Sequence, residues 1–213
     1  MNRFSKLILI MALLIMGVLL FWTNLSAFYP EDVQKLIRTK SCDKCQLDDA
    51  VIKDAQLENA SLERAMLYNA DLSWSFLSSA NLSRALLEKA NLSWANISFS
   101  TGDGTNFKDA DMRFINAGSA NLEGANLVGA DLRWANFKSS NLIGANLESS
   151  KSQSVDFRMS NFHRANLRKG NFENANFNMA RNLLSAYREG AVFDHAVWFD
   201  GRICKKDSTG DCR

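Results

Sequence analysis

The chain has 213 residues, 46% of them hydrophobic, with 25 basic and 23 acidic residues. Arg3 and Lys6 precede an apolar N-terminal run, and without them basic and acidic residues are equal in number. Such a neutral chain lacks the basic field that nucleic-acid binding requires, and also the strong negative field of a nucleic-acid mimic.

The first element is an uninterrupted apolar run from Leu7 to Trp22, preceded by two positive charges. This run, with Asn24 and Ser26 beyond it, predicts an export signal whose N-terminus stays inside. It is long for a cleaved signal and short for a membrane span of about 20 residues. We therefore expect residues 1–27 to be a cleaved signal peptide or a single-span membrane anchor. Either places the protein in the periplasm or outside the cell, attached to the inner membrane if the segment is retained.

Residues 28–44 are predicted to form an N-terminal cap. The sequence from Pro30 to Lys40 favours a short helix, because Pro suits the first turn and two acidic residues follow it. Its apolar residues fall on one stripe. We expect this helix to cover the end of the next element, where unpaired strand edges would otherwise promote aggregation.

Residues 45–179 are organised by a period of five. The central residue of each repeat is usually large and apolar, a small residue lies two places before it, and Asn or Asp lies between them, as in Ala80-Asn81-Leu82. The central residues are Leu47, Ile52, Leu57, Leu62, Leu67, Leu72, Leu77, Leu82, Leu87, Leu92, Ile97, Gly102, Phe107, Met112, Ala117, Leu122, Leu127, Leu132, Phe137, Leu142, Leu147, Ser152, Phe157, Phe162, Leu167, Phe172 and Phe177.

This period predicts a coiled chain. Helices turn about 100° per residue and straight strands alternate faces, so neither buries every fifth residue on one side. The chain must bend once per repeat, which gives a coil whose turns stack on one another. We expect Asn and Asp at the corners, because they bond to nearby backbone and tolerate unusual dihedrals. Since Gly102 and Ser152 are small, residues 100–104 and 150–154 are predicted to be loosely packed or bulged.

The pattern A-[N/D]-L-x-x resembles the pentapeptide repeat family, and the resemblance covers residues 45–179 without a change of phase. It implies an all-β fold, a right-handed quadrilateral β-helix (a solenoid) with four repeats per coil. The apolar helix and the short capping helix precede it. Residues 180–213 are expected to hold a brief helical turn at Leu183, a repeat remnant shifted by one residue, and a Cys-bearing tail.

The four cysteines lie in two local pairs, Cys42/Cys45 and Cys204/Cys212, one at each end of the repeats. Four cysteines allow three connectivities. The implied rod would be about 30 Å long, whereas a disulfide needs Cα atoms within about 7 Å. We therefore expect a local disulfide at each end, in keeping with export to an oxidising compartment.

The sequence contains no arrangement typical of catalysis. Ser/His/Asp and Cys/His arrangements, phosphate loops and H-E-x-x-H motifs are missing. Zinc is a weak alternative to the disulfides, because His163 and His195 are the two histidines and neither has ligand spacing. We expect no enzymatic activity, no cofactor and no metal.

One outer face carries a row of aromatic residues. With four repeats per coil, residues 20 apart stack, and Trp74, Trp94, Phe114 and Trp134 are 20 apart, each two places after a central residue. Exposed aromatic patches mark binding sites, although an aromatic ladder also stabilises stacked coils in its own right. No other face is predicted to carry such a row. The polar residues predicted to flank it are Asp71, Asp111, Asp131, Arg113 and Arg133.

These observations predict a non-enzymatic exported scaffold or protein-interaction protein of the bacterial cell envelope, with an unknown protein partner or a second copy of itself. One alternative is an envelope glycan-binding module that uses the aromatic face. Another alternative is a gyrase-binding DNA mimic, since gyrase binding is the best-known activity of the family that the sequence resembles. The neutral charge and the export signal argue against it. We expect no nucleic-acid partner, and membrane contact through residues 7–22 if they are retained.

Overall fold

The computed structural model describes residues 29–213, so the predicted signal or anchor segment lies outside the described residues. Within residues 29–213, no helix is both long enough and apolar enough to cross a membrane.

The first described element is helix α1, Pro30–Thr39, which confirms the predicted capping helix to within one residue. Pro lies in its first turn beside two acidic side chains, which suit the positive end of the helix. The helix ends at Lys40, whose left-handed backbone lets its N–H donate to the Leu36 carbonyl. Leu36 is fully buried and joins the apolar core of the repeats.

The repeats form stacked parallel coils. Parallel β-bridges join residues 20 apart, from Ser41 with Ser61 to Asp156 with Asn176, so each coil contains four repeats and has four sides. Residues 29–213 contain isolated bridges and no extended strand. The reason is that two residues of each five-residue side lie in a turn, which leaves no run long enough for a continuous ladder.

The turn in each repeat has a fixed geometry. The N–H of Ala60 donates to the carbonyl of Leu57 at 3.0 Å, and Asn59 between them has φ of 60°. The left-handed residue thus lies two places after the central one, as in a type II turn. The prediction that the Asn or Asp before the central residue adopts the unusual dihedral is wrong. Its predicted bonding to nearby backbone is confirmed: Asn81 Oδ1 accepts the N–H of Ser83 at 3.0 Å.

The core runs along the axis of the coils, where the central and small residues are buried. The expected bulges at Gly102 and Ser152 are wrong, because both backbone N–H groups donate to the next coil at 2.7 Å, in register. The interlayer bonds need no large central side chain. Packing is not loose at Gly102 either, since an added Cβ would lie 2.9 Å from Leu122. The hydroxyls of Ser150 and Ser152 bond to each other at 2.8 Å.

The C-terminal end is closed by an insertion and a returning tail. The 3₁₀ helix Leu183–Ser185 adds one residue, after which bridges join residues 21 apart, such as Asn171 with Val192, so the predicted shift of phase is confirmed. The tail then pairs antiparallel with the last coil, Val197 with Ile203. It accepts and donates the hydrogen bonds that the last coil would otherwise leave open, which protects this edge against association.

Candidate functional site

The predicted aromatic residues form a stacked ladder on one side of the coils. Ring centroids are 4.9 Å apart between Trp74 and Trp94, 4.2 Å between Trp94 and Phe114, and 5.0 Å between Phe114 and Trp134. Neighbouring ring planes differ by 5–9°. Trp94 remains 47% exposed although rings cover both of its faces. The outer surface of the ladder is therefore made of ring edges.

Every ring of the ladder belongs to a residue with a left-handed backbone. The φ angles are 63° at Trp74 and Trp94, 58° at Phe114 and 60° at Trp134. Bulky side chains tolerate this region poorly, whereas Gly, Asn and Asp adopt it more readily. Each aromatic therefore costs about 1 kcal/mol or more of backbone strain. Stacking, at about 0.5–1.5 kcal/mol per aromatic pair, offsets this cost.

The predicted polar flank consists largely of ion pairs. Arg113 donates from Nε to Asp111 Oδ1 at 2.8 Å and from an Nη to Oδ2 at 2.6 Å. Arg133 and Asp131 form the same two bonds at the same distances. Each of these carboxylates, predicted to flank the ladder, is thus held by the arginine two places after it. Asp71 is followed two places later by a serine rather than an arginine. It instead accepts a hydrogen bond from the side-chain amide of Asn91 at 3.1 Å.

Electrostatics around the ladder follow from these pairs. Partial burial alone would raise the pKa of Asp111, but hydrogen bonds from the Arg113 side chain and N–H outweigh it and lower the pKa overall. The Asp111 carboxylate in turn raises the pKa of Arg113. The Arg133 guanidinium also lies 5.4 Å from the centroid of the Trp134 ring, within cation–π range.

The structure contains a second apolar row, which the sequence analysis missed. Phe99, Met159 and Met179 lie two places after central residues on the side of the coil that follows the ladder, and all three are exposed. The row is not a second aromatic ladder, since Phe99 is its one aromatic residue. The spacing of these residues in multiples of 20 was visible in the sequence, but Ser119 and Ser139 interrupt the row and hide it.

The cysteines form the two expected local disulfides, Cys42–Cys45 and Cys204–Cys212. Potential ligand atoms of Asp32, Cys42 and Cys45 lie within 4.8 Å of one another. The two sulfurs are bonded together, and Asp32 Oδ2 accepts the N–H of Gln46 at 2.9 Å. In this state the cluster offers no thiolate to a metal ion.

One histidine lies close to a hydroxyl, which is the arrangement nearest to a catalytic pair in the described chain. His163 Nδ1 is 3.4 Å from Ser185 Oγ. The same hydroxyl donates to the carbonyl of Asn182 at 2.7 Å, so its proton points away from the imidazole. Both side chains are exposed, and no carboxylate among residues 29–213 orients the ring. This pair therefore lacks the geometry of an activated nucleophile.

Comparison with known protein families gives one match. The family model described as pentapeptide repeats (8 copies) matches residues 45–84, 118–151 and 153–180. Among curated protein sequences, none matches the chain.

Several solved structures resemble the described coils. HetL, a pentapeptide repeat protein involved in heterocyst differentiation regulation from the cyanobacterium Nostoc, is 26% identical, with 76% of each chain covered and a TM-score of 0.35. QnrB1, a plasmid-mediated fluoroquinolone resistance protein, is 18% identical over 73% of this chain and 76% of its own, with a TM-score of 0.39. A pentapeptide repeat protein from the Arabidopsis thaliana thylakoid lumen is 22% identical over 55% of this chain and 79% of its own, with a TM-score of 0.35.

Proposed function

We propose that this chain, which belongs to the pentapeptide repeat family, is a non-enzymatic exported scaffold of the bacterial cell envelope that binds a protein partner through its aromatic ladder. The quadrilateral coil provides a rigid support, and the ladder provides an apolar surface of fixed spacing. The right-handed sense of the coil that the family implies stays a prediction.

The observation that carries this proposal is a row of four adjoining aromatic rings, three of them exposed and Phe114 half-buried between its neighbours. Trp74, Trp94 and Trp134 are each about half exposed. Contiguous apolar surface of this kind on a soluble protein commonly marks an interaction site. Tryptophan is also enriched among the residues that contribute most to protein–protein binding. A second copy of the chain remains one candidate for the partner.

The glycan alternative receives less support from the ring geometry. Sugars pack their C–H groups against the negatively polarised faces of aromatic rings. In this ladder the planes of neighbouring rings are inclined by only 5–9° and the ring faces cover each other. Mainly ring edges therefore point outward. A ridge of edges suits insertion between protein side chains better than it suits a flat sugar ring.

Export is supported by two independent features of the chain. The apolar run of residues 7–22 follows two positive charges, and both cysteine pairs are joined as disulfides. Disulfides persist mainly in oxidising compartments. A reporter that is active only outside the cytoplasm, fused after Arg213, tests this localisation. Activity is expected, whereas a silent fusion that is present at normal level would contradict export and revive the gyrase-binding alternative.

Binding through the ladder is tested by affinity capture from envelope extract with the full chain as bait. The variant Trp94→Asn removes a central ring and places a residue that tolerates the left-handed backbone. The matched control Val51→Ser removes an exposed apolar side chain from the same side of the coil, outside the ladder. A partner that is retained by the wild type and the control and lost by Trp94→Asn supports the proposal. Identical capture by all three contradicts it.

A further inference from the structure

The side of the coil that follows the ladder carries the second apolar row at its far corner. Phe99 is 68% exposed and Met179 is 64% exposed, more than any ring of the ladder. Met159 lies between them, one coil before Met179. Ser119 and Ser139 occupy the two intervening coils and leave a gap in the row.

These three side chains belong to residues with a left-handed backbone. Their φ angles are 59° at Phe99, 64° at Met159 and 60° at Met179. Ser119 and Ser139 adopt the same geometry with small side chains. Ladder rings recover the strain by stacking, but Phe99 stacks on no other ring among residues 29–213. The backbone strain at Phe99 is therefore not offset by ring stacking.

The gap between Phe99 and Met159 is a groove. A depression of about 310 Å³ has Gly118, Ser119 and Ser139 on its floor and Phe99 at one end. A second depression of about 320 Å³ continues from Ser139 past Met159 to Arg181. The two share Ser139 and so form one shallow trough along the stacked coils.

The charges along this trough are positive. Lys138 lines the first depression and Arg181 lines the second, and neither makes an ion pair with a described residue. The acidic residues of this side, Glu58, Asp156 and Asp200, are paired with Lys40, Arg158 and Arg202. Two cations that stand outside these pairs, next to apolar side chains, therefore favour an anionic, partly apolar occupant.

We propose that this trough binds an extended acidic peptide segment with two apolar side chains four residues apart. Phe99 and Met159 are three coils apart, or about 14 Å at the usual spacing of parallel strands. Four residues of extended chain span nearly the same length. The two apolar side chains would pack against Phe99 and Met159, and a carboxylate on the residue midway between them, which shares their face of the extended chain, would reach Lys138. A recessed floor between two protruding side chains suits a peptide better than a flat lipid surface.

The peptide test uses the full 213-residue chain in mild detergent. The probe is a fluorescein-labelled peptide, Gly-Leu-Ser-Glu-Ser-Leu-Gly, and its control carries Lys in place of the Glu residue. Fluorescence polarisation is expected to show saturable binding of the acidic probe and at least tenfold weaker binding of the basic one. Equal affinity for both probes, or no binding of the acidic one, would overturn the proposal.

Variants locate the site. Phe99→Ser and Met159→Ser introduce the residue that Ser119 and Ser139 already provide at this position, so the coil is preserved. Each is expected to weaken binding of the acidic probe at least fivefold, and Lys138→Glu is expected to reverse the preference between the probes. Val51→Ser is the matched surface control and should leave affinity unchanged.

The test separates the trough from the ladder. Trp94→Asn is expected to keep full affinity for the acidic probe, whatever it does to capture of an envelope partner. Loss of probe binding in Trp94→Asn with retention in Phe99→Ser would assign the peptide to the ladder and overturn the proposal. Preferential binding to phosphatidylglycerol vesicles that displaces the probe would overturn it as well, by identifying a lipid surface as the occupant.

Discussion

At the scale of single residues, the left-handed position of each repeat decides which side chains are tolerated without cost. Asn59 and Asn69 occupy it with positive φ angles, and Gly124 and Gly144 do so as well. Larger side chains such as Arg64 and Lys89 also occupy it, and each bears the same backbone strain. In the ladder stacking offsets this strain, whereas Phe99 stacks on no other ring among the described residues.

This difference predicts opposite effects of the same substitution. Phe99→Asn should raise the free energy of unfolding by about 0.5–1 kcal/mol, because it relieves backbone strain and removes no ring contact. Trp94→Asn should lower it by up to about 2 kcal/mol, because two stacked pairs are lost against the same relief. Denaturant unfolding of both variants measures these changes. A destabilised Phe99→Asn would show that Phe99 does contribute to the fold.

The register of the repeats makes a second prediction at this scale. Leu127 is completely buried, so Leu127→Asp places an unpaired charge in the core and should be severely destabilising, by about 3 kcal/mol or more. Val128, one place on, is only half-buried on the outer surface, so Val128→Asp should cost little. Thermal unfolding compares the two, and similar midpoints would refute the assigned register.

The ion pairs beside the ladder predict a pH effect with a definite sign. Because the pKa of Asp111 is lowered in the folded state, its pairing stabilises the fold above the ordinary carboxyl pKa and stops doing so as the pH falls through the lowered value. Arg113→Gln should raise the pKa of Asp111, observed by carboxyl NMR. Arg158→Gln is the matched control, since it should raise the pKa of Asp156 and leave Asp111 unchanged. An unmoved Asp111 in Arg113→Gln would contradict this assignment.

At the scale of elements, the two ends of the coil differ from its middle. Helix α1 covers the first coil with Leu36, and the tail pairs with the last coil through Val197 and Ile203. Each end also carries a disulfide, with sequence separations of 3 and 8 residues. The middle coils need neither device, because each is held by neighbours on both sides.

Removal of the disulfides should therefore loosen the ends selectively. Each bridge closes a short loop, so its removal is expected to cost less than about 3 kcal/mol. In the double variant Cys42→Ser/Cys45→Ser, hydrogen exchange should accelerate at the N–H of Gln46, which donates to Asp32 in the cap. The N–H of Leu127, bonded to the Asn146 carbonyl at 2.7 Å, should remain protected. Equal acceleration at both sites would show that the coil unfolds as one unit.

The coil, its caps and the ladder could be predicted from the sequence, because these features follow from the spacing of residues along the chain. Sequence reasoning failed where tertiary contacts decide. Gly102 was expected to disturb the coil, but interlayer backbone bonds and Leu122 keep it regular. The sequence placed Asp111 and Arg113 beside the ladder, but their mutual hydrogen bonds are visible only in the three-dimensional structure. Phe99 was overlooked because serines interrupt its row.

At the scale of the whole molecule, the two proposed binding surfaces lie on adjoining sides of one coil. The ladder lies on one side, and the trough lies on the next. The side with left-handed Gly104, Gly124 and Gly144 carries small residues at the equivalent corner. A partner that recognises the ladder should therefore contact one side of the coil and not the side opposite.

The most direct test of partner binding through the aromatic ladder is photo-crosslinking in intact cells. Benzoylphenylalanine is introduced at Phe114 within the ladder and, as the control, at Glu123 on the glycine-bearing side. Phe114 suits this probe because its ring already lies between two others, at 4.2 and 5.0 Å. We expect a discrete adduct from the Phe114 position and none of that mass from the Glu123 position. The same adduct from both positions, or none from the ladder in a correctly folded and exported protein, would contradict binding through the aromatic ladder.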